Sequence, residues 1–432
     1  HDALNRAAHL LEQMGACETF SGIVEAYPEE LKPAVITTTP AKINGRIGFN
    51  ISREEIIAIL SKLGFGIEEQ GEELVVTAPT WRRDIECDAD ISEEVARMHG
   101  YDFIESHQPE LTITQGHQSV LDDVKDAVQD YMVGAGVSEM MTYSFIKANA
   151  YDKMLLAADD ARRSCIELLN PITDAFSVMR TTMIPSALQT ASFNLRNHNS
   201  SVALFEVGRV FLPQELPLTA DPVERQLLTA VLSGSRQELN WCTEKGAVDF
   251  YDMKGIVEGL LEALQVSDYT MVRSGQPYLH PGKSCDIVVE GKVIGSFGEV
   301  HPVVQENFDL DQVTYVLEME IEPLVASATH VPQYKHLPKF PSMSRDIAVV
   351  VPVEVTNSEL EGVIREHAGE LLRGVRVFDI YTGKQVAAGC KSMAFNLTYQ
   401  AADRTLTDAE VDASMKKVIA EVAEAYKAKL RD

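Results

Sequence analysis

Ile347-Ala-Val-Val-Val351, followed by Thr356-Asn-Ser-Glu359, decides the architecture of the last quarter of this chain. The first five residues are small or β-branched and read as a strand. Thr356 with a glutamate three positions later is the reciprocal pair that satisfies the free N–H groups of a helix start. Beyond that helix, Val375-Arg-Val-Phe-Asp-Ile-Tyr381 and Ser392-Met-Ala-Phe-Asn-Leu-Thr-Tyr399 read as strands paired across a loop containing Gly383 and Gly389. Thr407 and Glu410 repeat the capping pattern before a helix that buries Val411, Met415, Val418, Ile419 and Val422. The order β-α-β-β-α is that of a ferredoxin-like domain, whose final strand has only the short 428–431 end to form it. This domain is placed at residues 334–432, where the chain changes character around His336-Leu-Pro-Lys-Phe-Pro341.

Upstream, residues 107–333 alternate amphipathic helices with isolated strands. Helices are predicted over Leu121–Val133 and Asp252–Leu264, and strands over Met141–Ile146, Val202–Val207 and Leu227–Leu232. Ser284–Glu290 and Val293–Ser296 form a hairpin turning on Glu290-Gly291. Without regular βα alternation, these strands predict a mostly antiparallel sheet flanked by helices. Residues 43–106 form a smaller unit. Ser52 and Glu55 start a helix that Gly64 ends, Glu73–Ala78 is a strand broken at Pro79, and a second helix runs from Asp90 to Gly100. Two helices with short strands in that length suggest a winged-helix-like module. Residues 1–42 hold a helix over Ala3–Gly15 and a link through Pro28, Pro33 and Pro40, like the tail of a larger domain. The whole is an α+β multidomain chain.

The totals agree. At 432 residues the chain exceeds one ordinary core. A net charge of −27 opposes a protein that coats nucleic acid, although single-stranded bases can still be read by stacking. No stretch approaches the ~18 apolar residues of a membrane span. The start at His1-Asp-Ala does not read as a signal peptide and, without an initiator Met, suggests part of something longer. Six cysteines without a C-x-x-C pair predict reduced thiols in a cytoplasmic protein, each a small buried hydrophobe.

One stretch has the composition of a metal site: Trp81-Arg-Arg-Asp84-Ile-Glu-Cys-Asp88-Ala-Asp90-Ile-Ser-Glu93-Glu94. With a helix starting at Asp90, Glu93 and Glu94 leave its first turn and Asp84 can fold back toward them, hard oxygen ligands of the kind Mg²⁺ takes. A capping box of Asp90 with Glu93 explains the same acids without a metal, and such boxes are far commoner than oxygen cages. Arg82 and Arg83 either form an RNA patch or pair with the neighbouring acids. His280 and His301 lack a second ligand at metal spacing and read as structural. Neither G-x-S-x-G nor G-x-x-x-x-G-K-[ST] occurs.

Several strings resemble bacterial phenylalanyl-tRNA synthetase β subunits. Pro79-Thr-Trp-Arg-Arg-Asp-Ile-Glu with Asp90-Ile-Ser-Glu-Glu-Val-Ala-Arg-Met-His-Gly-Tyr-Asp is similar to their B5 domain. Leu169-Asn-Pro-Ile-Thr, Met179-Arg-Thr-Thr-Met-Ile-Pro-Ser-Ala-Leu, Leu204-Phe-Glu-Val-Gly-Arg-Val-Phe and Tyr278-Leu-His-Pro-Gly-Lys are similar to their catalytic-like core. Lys339-Phe-Pro-Ser-Met-Ser-Arg-Asp-Ile-Ala and Asp403-Arg-Thr-Leu-Thr-Asp-Ala-Glu are similar to their C-terminal anticodon-binding domain.

The resemblance implies a class II synthetase-like antiparallel core between the B5 and ferredoxin-like domains, with residues 1–42 as the end of the editing domain. It implies an α-subunit partner, a second αβ pair in an (αβ)₂ assembly, and attachment of phenylalanine to tRNA-Phe with ATP and Mg²⁺. It assigns Mg²⁺ ligation to Asp84, Asp90, Glu93 and Glu94. Adenylate chemistry needs cations clamped on ATP phosphates. The core keeps only Arg209 in its Phe205-Glu-Val-Gly-Arg strand, so the chain is expected to be a scaffold and anticodon binder without catalytic residues. Candidate tRNA contacts are Phe340, Phe378 and Phe395 for stacking, and Arg345, Arg376 and Lys391 for phosphates. A winged-helix nucleic-acid-binding regulator is the alternative, opposed by the acidic balance; a free-standing ATP-dependent ligase is another.

Overall fold

Helix α1 (Asp2–Gln13) buries none of its residues, and Leu4, Leu10 and Leu11 stay exposed along it. The first core forms after it, in the earlier of two compact units, His1–Gly116 and His117–Asp432. The computed structural model describes every residue except 29, 30, 109, 238, 239, 243–245, 329–333, 335, 384, 385, 431 and 432.

Strand β1 (Val35–Thr38) leads into α2 (Pro40–Ile47), where Thr39 accepts the Lys42 N–H at 3.2 Å. Ser52 does the same for Glu55 at 3.2 Å and starts α3 (Arg53–Lys62). Gly48 and Gly64, at φ +85° and +86°, take the left-handed turn that follows each helix. Strands β2 (Gly66–Gln70) and β3 (Glu73–Thr77) complete an antiparallel sheet in the order β1-β3-β2. It packs with α4 (Asp88–His99) over Ile43, Ile56, Leu60, Leu74, Ile91 and Val95. The winged-helix-like module therefore has three helices, not two, and its sheet begins before residue 43. Pro40 does not interrupt it, because proline at the first helical position gives up an N–H that had no partner.

The expected helix start at Asp90 is corrected by two residues. Cys87 precedes the first turn in extended backbone, and Asp90 is the third helical residue. The Ser52–Glu55 box is also one-sided: the Glu55 carboxylate pairs with the His99 ring at 2.8 Å.

The second unit opens with α5 (Val120–Gly134) and β4 (Ser138–Glu139). Strand β5 (Phe145–Ile146), α6 (Ala150–Lys153), β6 (Val178–Met179) and α7 (Ile184–Arg196) follow. The long strands are β7 (Ser201–Leu212) and β8 (Val223–Gly234), then, after α8 (Phe250–Ala263), β9 (Tyr269–Arg273), β10 (Leu279–Val289) and β11 (Lys292–Val300). Helix α9 (Pro302–Asn307), β12 (Thr314–Glu320) and α10 (Glu322–Ser327) close this part.

Seven of these strands make one sheet in the order β4-β7-β8-β12-β11-β10-β9, antiparallel except where β4 meets β7. Alternation along β12 divides its faces. Tyr315, Leu317 and Met319 pack with α5 and α8, whereas Val316 packs with α7. The predicted hairpin is present, with Glu290 and Gly291 both at positive φ (49° and 77°). His301 is structural: its Nδ1 accepts the Val303 N–H at the start of α9. The strand predicted over Met141–Ile146 shrinks to Phe145–Ile146, because Arg180 draws on the residues before it. Its Nη1 donates to Thr142 Oγ1 (2.8 Å) and its N–H to the Ser144 carbonyl (2.9 Å).

The chain ends with β13 (Met343–Pro352), α11 (Asn357–Ala368), β14 (Leu372–Tyr381), β15 (Cys390–Tyr399), α12 (Asp408–Tyr426) and β16 (Lys429–Leu430). Both predicted capping boxes form, Thr356 with Glu359 and Thr407 with Glu410. The sheet order β14-β15-β13-β16 is that of a ferredoxin-like fold, and the short last strand pairs with β13. The six thiols are free, but none is fully buried, and Cys87 and Cys242 are exposed; the expectation of six core cysteines is corrected. Among the described residues no helix is long and apolar enough to cross a membrane.

Candidate functional site

The acidic cluster is organised by arginines. Arg82 clamps Asp84, its Nε donating to Oδ1 at 3.0 Å and to Oδ2 at 3.2 Å and its Nη2 to Oδ2 at 2.6 Å. The same Nη2 donates to Glu94 Oε1 at 2.9 Å, and Arg97 donates to Glu94 Oε2 at 2.7 Å. Glu94 is nearly buried, at 5% exposure. Burial alone would raise its pKa, yet Arg82 first, and then Arg97, hold its carboxyl down to about 2. Arg82 also lowers Asp84 and is itself raised by its two partners.

Asp90 turns the other way. Its Oδ2 accepts the N–H groups of Glu86 (2.8 Å) and Cys87 (2.9 Å), which lower its pKa. Glu93 is exposed and, among the described residues, makes no hydrogen bond or ion pair. The four expected Mg²⁺ ligands therefore do not converge. Asp84 and Glu94 meet across a guanidinium, Asp90 is used by the helix start, and among the described residues no three acidic, histidine or cysteine groups are arranged to hold a metal. Arranged in this way, they do not fit a Mg²⁺ cage made by this chain alone.

The expected tRNA contacts divide by strand parity. Phe395, opposite Ile347 on β13, is completely buried between the sheet and its helices and is removed from the stacking surface. Arg345 is held by Asp408 and Asp412 of α12. Lys391 is half-buried, and its pKa is lowered first by burial and then by nearby Arg273. Phe340 is half-buried, and its carbonyl accepts Gln400 Nε2 at 2.6 Å.

Arg376 and Phe378 remain exposed, the phenylalanine at the irregularity between Val377 and Asp379. A polar row runs across the helix-free face at the level of Arg376. Asn396 lies opposite both Arg376 and Asp346, and its Nδ2 donates to Asp346 Oδ1 at 2.6 Å and to Ser344 Oγ at 3.1 Å. Sequence reasoning passed over Asn396, although alternation from Phe395 marks it as facing the other way.

Residues of two quoted core strings meet. Arg180 and Glu206, both nearly buried, form an ion pair at 3.1 Å, and Thr142 donates its hydroxyl to Glu206. Twenty-six positions separate the two residues, so only the β7 fold-back brings them together.

Three family models match the chain in order: the tRNA synthetase B5 domain over residues 36–101, the phenylalanyl tRNA synthetase beta chain CLM domain over 104–321, and the ferredoxin-fold anticodon binding domain over 338–431. With the antiparallel core and the ferredoxin-like sheet, they define a multidomain component of the tRNA synthetases. The CLM match alone takes in just over half of the sequence, and the chain belongs to the phenylalanyl tRNA synthetase beta chain family.

It is 35% identical over 430 residues to the phenylalanine–tRNA ligase beta subunit of Clostridium acetobutylicum, and 37% identical over 430 residues to that of Bacillus subtilis. Both alignments cover 99% of this chain and 53% of the relative, so the chain spans about half the length of the curated relatives it matches. Among solved structures, pyrrolysyl-tRNA synthetase from Desulfitobacterium hafniense aligns with a TM-score of 0.38 and 15% identity, covering 50% of this chain and 74% of that one.

Proposed function

We propose that this chain is the scaffold and anticodon-binding part of a phenylalanine–tRNA ligase β subunit. It would join an α subunit and a second αβ pair in the cytoplasm, in an (αβ)₂ complex that attaches phenylalanine to tRNA-Phe with ATP and Mg²⁺. The observation that carries this reading is the co-linear order of the three family matches on three separately built cores. The end of the editing domain and a linker, expected over 1–42, are assigned to the residues before β1; the B5 unit, expected from 43, takes in β1 from Val35 and runs to 106, followed by 107–333 and 334–432. A regulator built on the winged-helix module is disfavoured by the acidic balance of −27.

The chain by itself is assigned no catalytic residue. Phosphate clamping needs uncommitted cations, and in the core Arg162 is tied to Asp160, Arg180 to Glu206 and Arg209 to Glu224, which leaves Arg225 without an ion pair among the described residues. The anticodon contact is assigned to the helix-free face of the C-terminal sheet, where Arg376, Phe378 and the Asn396 row offer charge, a ring and hydrogen bonds to unstacked bases. For Asp84, Asp90, Glu93 and Glu94, Mg²⁺ binding requires displacement of Arg82 and further ligands from a partner.

Two measurements test the reading. Phenylalanine-dependent pyrophosphate exchange by the isolated chain is expected at background, and a clear signal overturns the scaffold role. Deleting residues 334–432 from the reconstituted complex is expected to raise KM for tRNA-Phe; an unchanged KM in an assembled complex removes the anticodon role.

A further inference from the structure

Five arginines lie between β1 and the end of α4, and four of them are spent inside the unit. Arg46 pairs with Asp88, Arg53 with Glu69, Arg82 with Asp84 and Glu94, and Arg97 with Glu94. Arg83 is exposed and, among the described residues, has no hydrogen bond or ion pair. The turn after Pro79 therefore separates two neighbouring guanidinium groups. Arg82 goes to the acids, and the next is left to solvent.

Trp81 stands two residues before Arg83 and is 73% exposed. The ring is seated all the same. A methyl group on Gly64 would lie 3.2 Å from indole Cζ2 and 3.7 Å from Cη2, so the benzene end of the indole rests on the turn that ends α3. Gly64, at φ +86°, has no side chain to push it away. Contact at one end restricts the ring while most of its surface stays in water, which leaves a pre-set stacking platform. Lys62, two residues before that glycine, is exposed and likewise has no partner among the described residues.

A nucleobase to stack and phosphates to pair would satisfy all three side chains. The rest of the unit sets the form of the ligand. Asp88, Asp90, Glu93 and Glu94 stand on α4, in a chain of net charge −27. A duplex would carry its phosphates past those acids, whereas a short single strand can meet the platform alone. An acidic peptide would satisfy the two cations and leave the indole uncovered.

We propose that Trp81, Arg83 and Lys62 form a contact site for single-stranded RNA on the first unit, one base stacked on the indole and adjacent phosphates paired with Arg83 and Lys62. The inference concerns residues that the anticodon reading does not use and stands apart from it.

The test uses the 432-residue chain carrying Trp241→Phe, which leaves Trp81 as its one indole. Trp241 is 95% exposed, so this change leaves the core alone. Oligoadenylate RNA is titrated at low salt while Trp81 fluorescence is read. Saturable quenching is expected, weakened by added salt, with an RNA duplex and an oligoglutamate peptide each weaker by about tenfold or more. Arg83→Ala is expected to keep the parent Tm, weaken binding several-fold and lower the salt slope by about one. Phe378→Ala, on the C-terminal face, should leave the curve unchanged. No saturable quenching, equal quenching by the duplex or the peptide, indifference to Arg83→Ala, or a curve displaced by Phe378→Ala overturns the proposal.

Discussion

The Arg82 guanidinium donates to Glu94 Oε1 across 2.9 Å, joining the loop after Pro79 to helix α4. Glu94 is nearly buried, so losing this donor leaves a desolvated carboxylate with Arg97 alone. Removing one partner of such a pair costs more than the pair is worth, because the other charge stays behind. Arg82→Ala is expected to destabilise the first unit by about 2–4 kcal/mol. In a double-mutant cycle, adding Glu94→Ala should cost less than the sum of the single changes. Denaturant unfolding measures both, and additive losses would mean that the contact carries no coupling.

The same contact sets an acid limit. Glu94 titrates near 2 in the fold against an ordinary value of 4.5, with Arg82 the main cause. A carboxyl depressed by folding binds its proton more tightly in the unfolded chain. Its contribution is therefore complete above pH 4.5 and is lost as pH falls toward 2. Glu94→Gln should flatten the stability curve of the first unit in that window, as followed by urea midpoints. An unchanged slope would assign the acid sensitivity to other groups.

Arginine and magnesium compete for the same oxygens. With Arg82 in place, millimolar Mg²⁺ should leave the Tm of the isolated chain unmoved. In Arg82→Ala, Asp84 and Glu94 lose their shared cation, and Mg²⁺ should raise Tm in a saturable way. Mg²⁺ stabilisation of the parent chain, abolished by Asp84→Asn, would instead show that the ion displaces the guanidinium unaided.

What could be read in advance follows the range of the forces involved. Thr356 with Glu359 and Thr407 with Glu410 cap helices because each signal spans three residues, and the alternating strands around Phe395 settle which side is core. The start of α4 escaped because Cys87 is not a typical capping residue, and the expected Asp90 cap sits one turn too late. Strand β1 escaped because four residues before a proline carry too little pattern to mark a sheet. The bridge from Arg82 to Glu94, the Arg180–Glu206 pair and the seat of Trp81 on Gly64 are tertiary. Each depends on a loop or strand register that no local spacing encodes.

Helices α5 and α8 touch at Tyr131 and Gly259, where a methyl group on the glycine would collide with the tyrosine hydroxyl. In an open helix, Gly→Ala stabilises by about 0.5–1 kcal/mol. Here the sign should reverse. Gly259→Ala is expected to lose about 1–3 kcal/mol by overpacking, and Tyr131→Phe in the same chain should recover part of it by removing the oxygen. Thermal unfolding of the single and double variants checks this; a stabilised Gly259→Ala would show that the two helices separate freely.

The C-terminal face offers a contrast within one strand pair. Val377 and Phe395 are cross-strand partners, Phe395 completely buried, while Phe378 beside Val377 is 52% exposed and Arg376 on its other side is exposed. If bases of tRNA-Phe stack here, truncating Phe378 removes a ring worth about 1–3 kcal/mol per stacked base. Phe378→Ala is then expected to raise KM for tRNA-Phe roughly 5- to 100-fold in the reconstituted complex, with kcat nearly unchanged. Arg376→Ala should weaken binding and reduce its salt dependence, as loss of one phosphate contact does. Phe395→Leu touches only the core, so it should lower the Tm of the second unit and leave KM alone at temperatures where the fold holds. KM values that follow Phe395 rather than Phe378 would mean that the domain acts through its stability, and that the helix-free face is not where the RNA sits.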